Sequence, residues 1–109
     1  MITNTGITIY HRINNKWERK YYSNCWYYSK SNASLEKGYN VKNSVEVRIP
    51  YKQNKISIKD VKIEDIIVKG NTNKNITSLG DLKGYSYYSI TSLTDNSFGQ
   101  EPHIHIGAN

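Results

Sequence analysis

Alanine and leucine together supply only six residues of 109, two Ala and four Leu. These are the best helix formers among the apolar side chains, and a helical bundle cannot be built from so few. In their place stand fourteen Ile and ten Tyr, which suit a pleated, half-buried surface, and thirteen Asn, which suit turns. The chain is therefore directed toward β structure before any segment is read. The same residue types have A- and T-rich codons, so an AT-rich genome accounts for part of the bias. Aromatic residues recur from end to end, which argues against a disordered or low-complexity chain.

Period-two alternation marks the strands. In Ile7-Thr8-Ile9-Tyr10-His11-Arg12, the residues Ile7, Ile9 and His11 share a face. Ile13-Asn14-Asn15 reads as a hairpin turn, because Asn tolerates positive φ. The next strand runs from Lys16 to Ser23, with Trp17, Arg19 and Tyr21 on one face and Glu18, Lys20 and Tyr22 on the other. Asn24 makes a break or bulge before Cys25–Ser29 continues the strand. Val45-Glu46-Val47-Arg48-Ile49 is the clearest strand, with the two Val and Ile49 inward and Pro50 ending it. Ile56-Ser57-Ile58 reads as a short strand. Ile66-Ile67-Val68 is the longest aliphatic run, too short for a transmembrane helix, and suggests a strand covered on both faces. Thr77–Leu82 reads as the one short helix, about two turns long, capped by Thr77 or Ser78 with Asp81 in the first turn. Tyr87–Leu93 and His103–Ile106 are the remaining strands, separated by a turn at Asp95-Asn96-Ser97.

These segments predict one all-β domain over residues 1–109, a small β-barrel or sandwich of six to seven short strands with one short helix. The stretch 29–43 is polar and irregular, with Leu35, Tyr39 and Val41 as its sizeable apolar residues and Gly38 as a bend point. It reads as a long loop, either functional or a passive hairpin tip.

Candidate chemistry is sparse. His103-Ile104-His105 places two imidazoles on one side of a strand, and His11 could add a third ligand from an adjacent strand. Yet Ile104 and Ile106 are the natural core face, which turns both histidines outward, so no metal site is expected. Glu64-Asp65 is the only carboxylate pair, and neighbours in an extended chain diverge. No nucleophile elbow and no phosphate-binding glycine loop occurs. Neither catalysis nor a cofactor is expected.

Cys25 is the only cysteine, and its aromatic surroundings suggest a buried, inert thiol. An unpaired cysteine and an uncharged start without an apolar leader fit a reducing cytosol. The net charge is +6, with twelve Lys and three Arg spread from Arg12 to Lys83. Lysines without a dense block fit a solvated surface; a nucleic-acid patch and an acidic protein partner are the alternatives.

The aromatic groups are Tyr21-Tyr22, Trp26-Tyr27-Tyr28 and Tyr85, Tyr87, Tyr88. Consecutive aromatics on a strand fall on opposite faces, so some are exposed or meet another subunit. Tyr22, Tyr27 and Tyr87 are the candidate interface aromatics. A stacking platform for single-stranded nucleic acid or sugar is the alternative. Hydrophobic residues are 37% of the chain, a thin supply for a self-sufficient core, which also favours a partner surface.

Six of these segments, in the same order, resemble a family. Ile7–Arg12 followed by Lys16-Trp17-Glu18-Arg19 is similar to the opening of small tailed-phage and prophage proteins of low-GC Gram-positive bacteria, known as minor capsid or neck proteins. Val45–Pro50, Asp65–Gly70, Ile76–Leu82, Ile90–Asn96 and the final Pro102–Gly107 follow the same pattern. The resemblance covers nearly the whole chain, and Lys52–Lys62 is its least similar part.

The resemblance implies a head-closure, or stopper, component of the head-to-tail connector, itself a small β-barrel. It implies a homo-oligomeric ring in the virion neck, assembled in the host cytoplasm. The phage adaptor would lie above it, with the tail terminator or tail tube below. Genomic DNA would pass without sequence-specific contacts, and no membrane would be involved. The loop at 29–43, with Leu35, Gly38, Tyr39 and Val41, would face the channel or a neighbouring subunit. The alternatives are a stand-alone nucleic-acid- or carbohydrate-binding β-barrel and a tail terminator.

Overall fold

The computed structural model describes residues 3–32, 42–72, 76, 78–82, 84, 86–97, 99 and 101–109. Six strands run through it: β1 (Thr5–Ile13), β2 (Lys16–Asn32), β3 (Lys42–Pro50), β4 (Ile66–Lys69), β5 (Tyr87–Asn96) and β6 (His103–Ala108). They close into a barrel in the order β1-β2-β3-β6-β5-β4, every pair antiparallel. The expected β-barrel is the fold.

The β1–β2 hairpin turns on Asn14 and Asn15, at φ +48° and +65°, as the Asn-Asn pair predicts. β2 is a single strand of 17 residues that pairs with β1 through Cys25 and with β3 from Trp26 onward. Its change of partner is made by a bulge, because Thr5 pairs with Cys25 while Ile7 pairs with Tyr22. One extra residue on β2 reverses which side chains face inward. Tyr22 and Cys25, three apart, both lie in the core. The break expected at Asn24 is this bulge. β5 bends in the same way: Ile90 pairs with Ala108 but Ser92 pairs with Gly107. Ile90 and Leu93 therefore both turn toward the core. The two bulged strands make the corners of the barrel.

The interior is filled by Ile7, Ile9, Tyr22, Cys25, Val45, Val47, Ile49, Ile67, Ile90, Ile104, Ile106 and Ala108. Val45, Val47 and Ile49 are at most 1% exposed, as their alternation predicts. Ile56 and Val61, from the connection between β3 and β4, pack into the same core. Asn54 ties that connection down by donating to Asn24 O (2.8 Å) and Pro50 O (3.2 Å).

A second cluster lies on the outer side of β1 and β4, where Tyr10, Ile66 and Val68 pack with Ile76, Leu82 and Trp17. The run Ile66-Ile67-Val68 is continuous because Ile67 faces the barrel while its neighbours face this outer layer. Thr8 fastens the layer, donating to Gly70 O (2.7 Å) and accepting from Thr72 N (3.0 Å).

Three expectations are corrected. Ile56-Ser57-Ile58 is not a strand. Ser57 Oγ accepts from Lys59 N, Asp60 accepts from Ser57 N, and this capping box turns Ile58–Asp60 into one 3-10 turn. The expected two-turn helix shrinks to a 3-10 turn at Leu79–Leu82, with Asp81 Oδ2 accepting from Ser78 N. Asp95 and Asn96 are strand residues opposite Ile104 and His103, so the turn lies beyond them.

Candidate functional site

Two surface features stand apart from the packing just described: a ribbon that outruns the barrel, and an aromatic–cation column on the outer face of β2, β3 and β6.

The ribbon belongs to β2 and β3. The loop expected over 29–43 begins later and ends earlier, since Ser29, Lys30, Ser31 and Asn32 pair with Val45, Ser44, Asn43 and Lys42. Polar residues can extend a ladder because its backbone bonds require no burial. β6 accompanies β3 only as far as the Val45–Ala108 pair. The last three pairs of β2 and β3 thus stand clear of β6, a two-stranded ribbon about 10 Å long. Leu35, Gly38, Tyr39 and Val41 lie outside the described residues.

The column begins at Trp26 and Tyr28, whose rings stack with centroids 5.9 Å apart and planes at 14°. Directly across from Trp26 is Arg48, its guanidinium carbon 4.6 Å from the Trp26 ring centroid. Arg48 Nε is buried and has no hydrogen-bond partner among the described residues. His105 pairs across from Arg48 on the next strand, and His103 across from Pro50. His103 Nδ1 is 2.9 Å from Glu101 O, and burial, with Arg48 nearby, lowers its pKa below the usual 6.5. Ile104 and Ile106 are fully buried, so both histidines face outward as expected. His11 cannot join them, because two strands separate β1 from β6 in either direction round the barrel. It bonds instead to Asp65. Among the described residues no group of three His, Cys, Asp or Glu is placed to hold a metal ion.

The three candidate interface tyrosines separate. Tyr22 is corrected: at 6% exposure it is a core residue, inward-facing because the bulge sets the parity of β2. Burial, reinforced by the nearby Asp60, pushes its hydroxyl up to about 12. Tyr27 is partly buried, packed against the core beneath Lys69, whose Nζ is 5.3 Å from its ring. Burial and the neighbouring Tyr88 raise it to about 12. Tyr87 is exposed, as are Tyr21 and Tyr28. Arg48 is the residue that sequence alone does not single out. It becomes visible only when the β2–β3 register places it opposite Trp26.

Two shallow concavities flank Trp17. One of about 420 Å³ is lined by Ile13, Asn14, Lys16, Trp17 and Glu18, the other of about 300 Å³ by Asn15, Lys16, Trp17 and Ile76. Neither lining brings together an acid, a base and a nucleophile.

A model of the family described as "Family of unknown function (DUF6751)" matches residues 2–109. The chain belongs to DUF6751. No curated protein and no solved structure matches this family member. Among the described residues, no helix is long and apolar enough to cross a membrane.

Proposed function

We propose that this DUF6751 member is a structural component of a tailed-phage head-to-tail connector, a head-closure ring in the virion neck. It sits beneath the phage adaptor and above the tail terminator or tail tube, and genomic DNA passes through without base-specific contacts. It works without cofactor, metal or membrane, and its role is mechanical and not enzymatic. The observation that carries the reading is the β2–β3 ribbon standing clear of a closed barrel. A closed barrel offers a rigid, edgeless body, and a projecting ribbon offers a reach toward a channel or a neighbour. The resemblance of the sequence to minor capsid and neck proteins supports the same reading.

Mass analysis of connector particles assembled with the chain's genomic neighbours tests it. The expected result is one cyclic layer of this chain per particle. A single copy per particle, or none, overturns it. Replacing residues 33–41 by Asn-Gly would join the paired Asn32 and Lys42 through a two-residue hairpin turn. That variant is expected to fold and to let DNA escape from filled heads.

A second reading has its own observation. The Arg48–Trp26–Tyr28 column is the kind of surface on which the bases of a single-stranded nucleic acid stack beside a cation. Quenching of tryptophan fluorescence by a single-stranded oligonucleotide, lost in Arg48→Ala and suppressed by salt, would favour it over the connector.

A further inference from the structure

The register of four strands sets up a transverse row of side chains on the outside of the barrel. Trp26 pairs with Arg48, Arg48 with His105, and His105 with Thr94. Directly opposed residues of an antiparallel sheet share a face, with Cβ atoms about 5 Å apart. The flanking residues Val47, Ile49, Ile104 and Ile106 fill the core, so the row points outward. It crosses three strand spacings, about 14 Å.

Three members of the row are uncommitted. Arg48 forms no ion pair with any carboxylate among the described residues, and its guanidinium lies over Trp26. Of its three nitrogens only Nε is buried, without an acceptor, and the two terminal ones keep solvent access. His105 and Thr94 likewise have no side-chain hydrogen bond among the described residues. His103 is the contrast. Its Nδ1 lies 2.9 Å from Glu101 O and its Nε2 3.3 Å from Asn96 Nδ2, so both ring nitrogens are engaged. Glu46 shares the face with Arg48 but has its interaction elsewhere.

A partly desolvated cation without a counter-charge is stabilised by an anion brought to its open edge. Arginine suits that task, because the planar head stays stacked on an aromatic ring while its fork donates to two oxygens of one oxyanion. A carboxylate or a phosphate would satisfy the fork. The adjoining ring surface decides between them: Trp26 stacks with Tyr28, which is 48% exposed, and such a surface takes a base attached to the anion.

We propose that Arg48, His105 and Thr94 seat a backbone phosphate of a single-stranded nucleic acid whose neighbouring base stacks on Tyr28. Arg48 supplies the charge and a two-pronged donor, His105 a ring N–H and Thr94 a hydroxyl. The inference rests on the nucleic-acid reading above and names the anion contact within it.

The test is fluorescence anisotropy of a labelled oligothymidylate of about ten nucleotides with the full chain. Arg48→Lys keeps the charge and loses the fork, and is expected to weaken binding about ten-fold. His105→Ala, at a partly exposed position, is expected to weaken it about five-fold, and carries the test should Arg48→Lys lose the fold. Lys16→Ala, at the β1–β2 hairpin, removes a whole charge and is expected to change affinity less than about two-fold. A loss in Lys16→Ala as large as in Arg48→Lys means diffuse surface charge and overturns the seat. Binding that falls in Tyr28→Ala but not in Arg48→Lys or His105→Ala keeps the nucleic-acid reading and removes the seat. Absence of oligothymidylate binding removes both. Arg48-dependent binding of polyglutamate in its place gives the site to a carboxylate-bearing partner and overturns the proposal.

Discussion

Asp65 Oδ2 lies 2.5 Å from His11 Nδ1, and the Asp65 side chain has no solvent exposure. The same carboxylate accepts from Lys62 N (2.9 Å) and Arg12 N (3.3 Å). Two backbone N–H groups and the His11 ring, from two segments, meet at one buried carboxyl group, which joins the end of β1 to the turn that starts β4. The pair is structural: Asp65 is the clasp of the turn into β4.

Removing the clasp is expected to be costly. Asp65→Ala leaves two backbone N–H groups and an imidazole without their acceptor, a loss of about 3–5 kcal/mol on the scale of broken buried pairs. His11→Phe leaves Asp65 two donors and should cost less, about 1–3 kcal/mol. Urea unfolding of the two single variants and the double variant measures both. Additive losses would mean that the two side chains act independently.

Several tyrosine hydroxyls should resist ionisation. Burial raises Tyr22, Tyr27 and Tyr51 from 10.0 to about 12, and for Tyr51 the carboxylate of Asp95, 2.5 Å from its hydroxyl, adds to the effect. A phenol whose folded pKa is raised stabilises the fold fully below the unfolded value near 10. That contribution is lost as pH rises through 12. Ultraviolet titration of the native protein should show a late-ionising fraction that merges with the rest in denaturant. Tyr51→Phe should remove part of it.

How far the sequence discloses this fold depends on how local each signal is. Val45–Ile49 and His103–Ile106 are legible because each alternates against a single core, and Asn14-Asn15 because positive φ selects Asn. Ile66–Val68 is legible because a strand buried on both faces has no polar positions. The bulge at Thr91 is not, since Ile90-Thr91-Ser92-Leu93 contains no break residue and the extra residue is defined only by pairing with Gly107 and Ala108. Ile56-Ser57-Ile58 misleads because the Ser57–Asp60 capping box overrides a weak alternation. The surface is less legible still. Trp26 and Arg48 are far apart in sequence and meet only through register, and Tyr22 differs from the exposed Tyr21 only by parity.

Cys25 should be inert in the native state. It is fully buried, its Sγ–H donates to Tyr22 O (3.4 Å), and burial pushes the thiol up to about 12 despite an opposing backbone hydrogen bond at Ile7. At about pH 8 the thiolate that reacts with disulfide reagents is scarce and shielded. Ellman's reagent is expected to label the protein only in denaturant. Rapid labelling of the native protein would mean that the corner of β2 opens readily.

Glu64 carries backbone strain that a substitution should release. Its φ is +80°, a left-handed conformation that costs an L-residue other than Asn or Asp about 1 kcal/mol or more. The conformation is held from both sides: Glu64 N donates to Ile90 O (2.9 Å), and Asp65 N donates to Lys62 O (3.1 Å). The Glu64 side chain is exposed, so its removal vacates no core space. Glu64→Gly is expected to raise stability by about 0.5–1 kcal/mol, after the greater freedom of glycine in the unfolded chain is counted. Glu64→Asn should give a smaller gain, and Glu64→Val a loss, because a β-branched residue tolerates positive φ least. Gly70, at φ +83° where β4 ends, supplies the control: Gly70→Ala should cost about 1 kcal/mol. Urea midpoints for the four variants rank the effect. A loss of stability in Glu64→Gly would show that the Glu64 side chain contributes more to the turn than its backbone conformation costs.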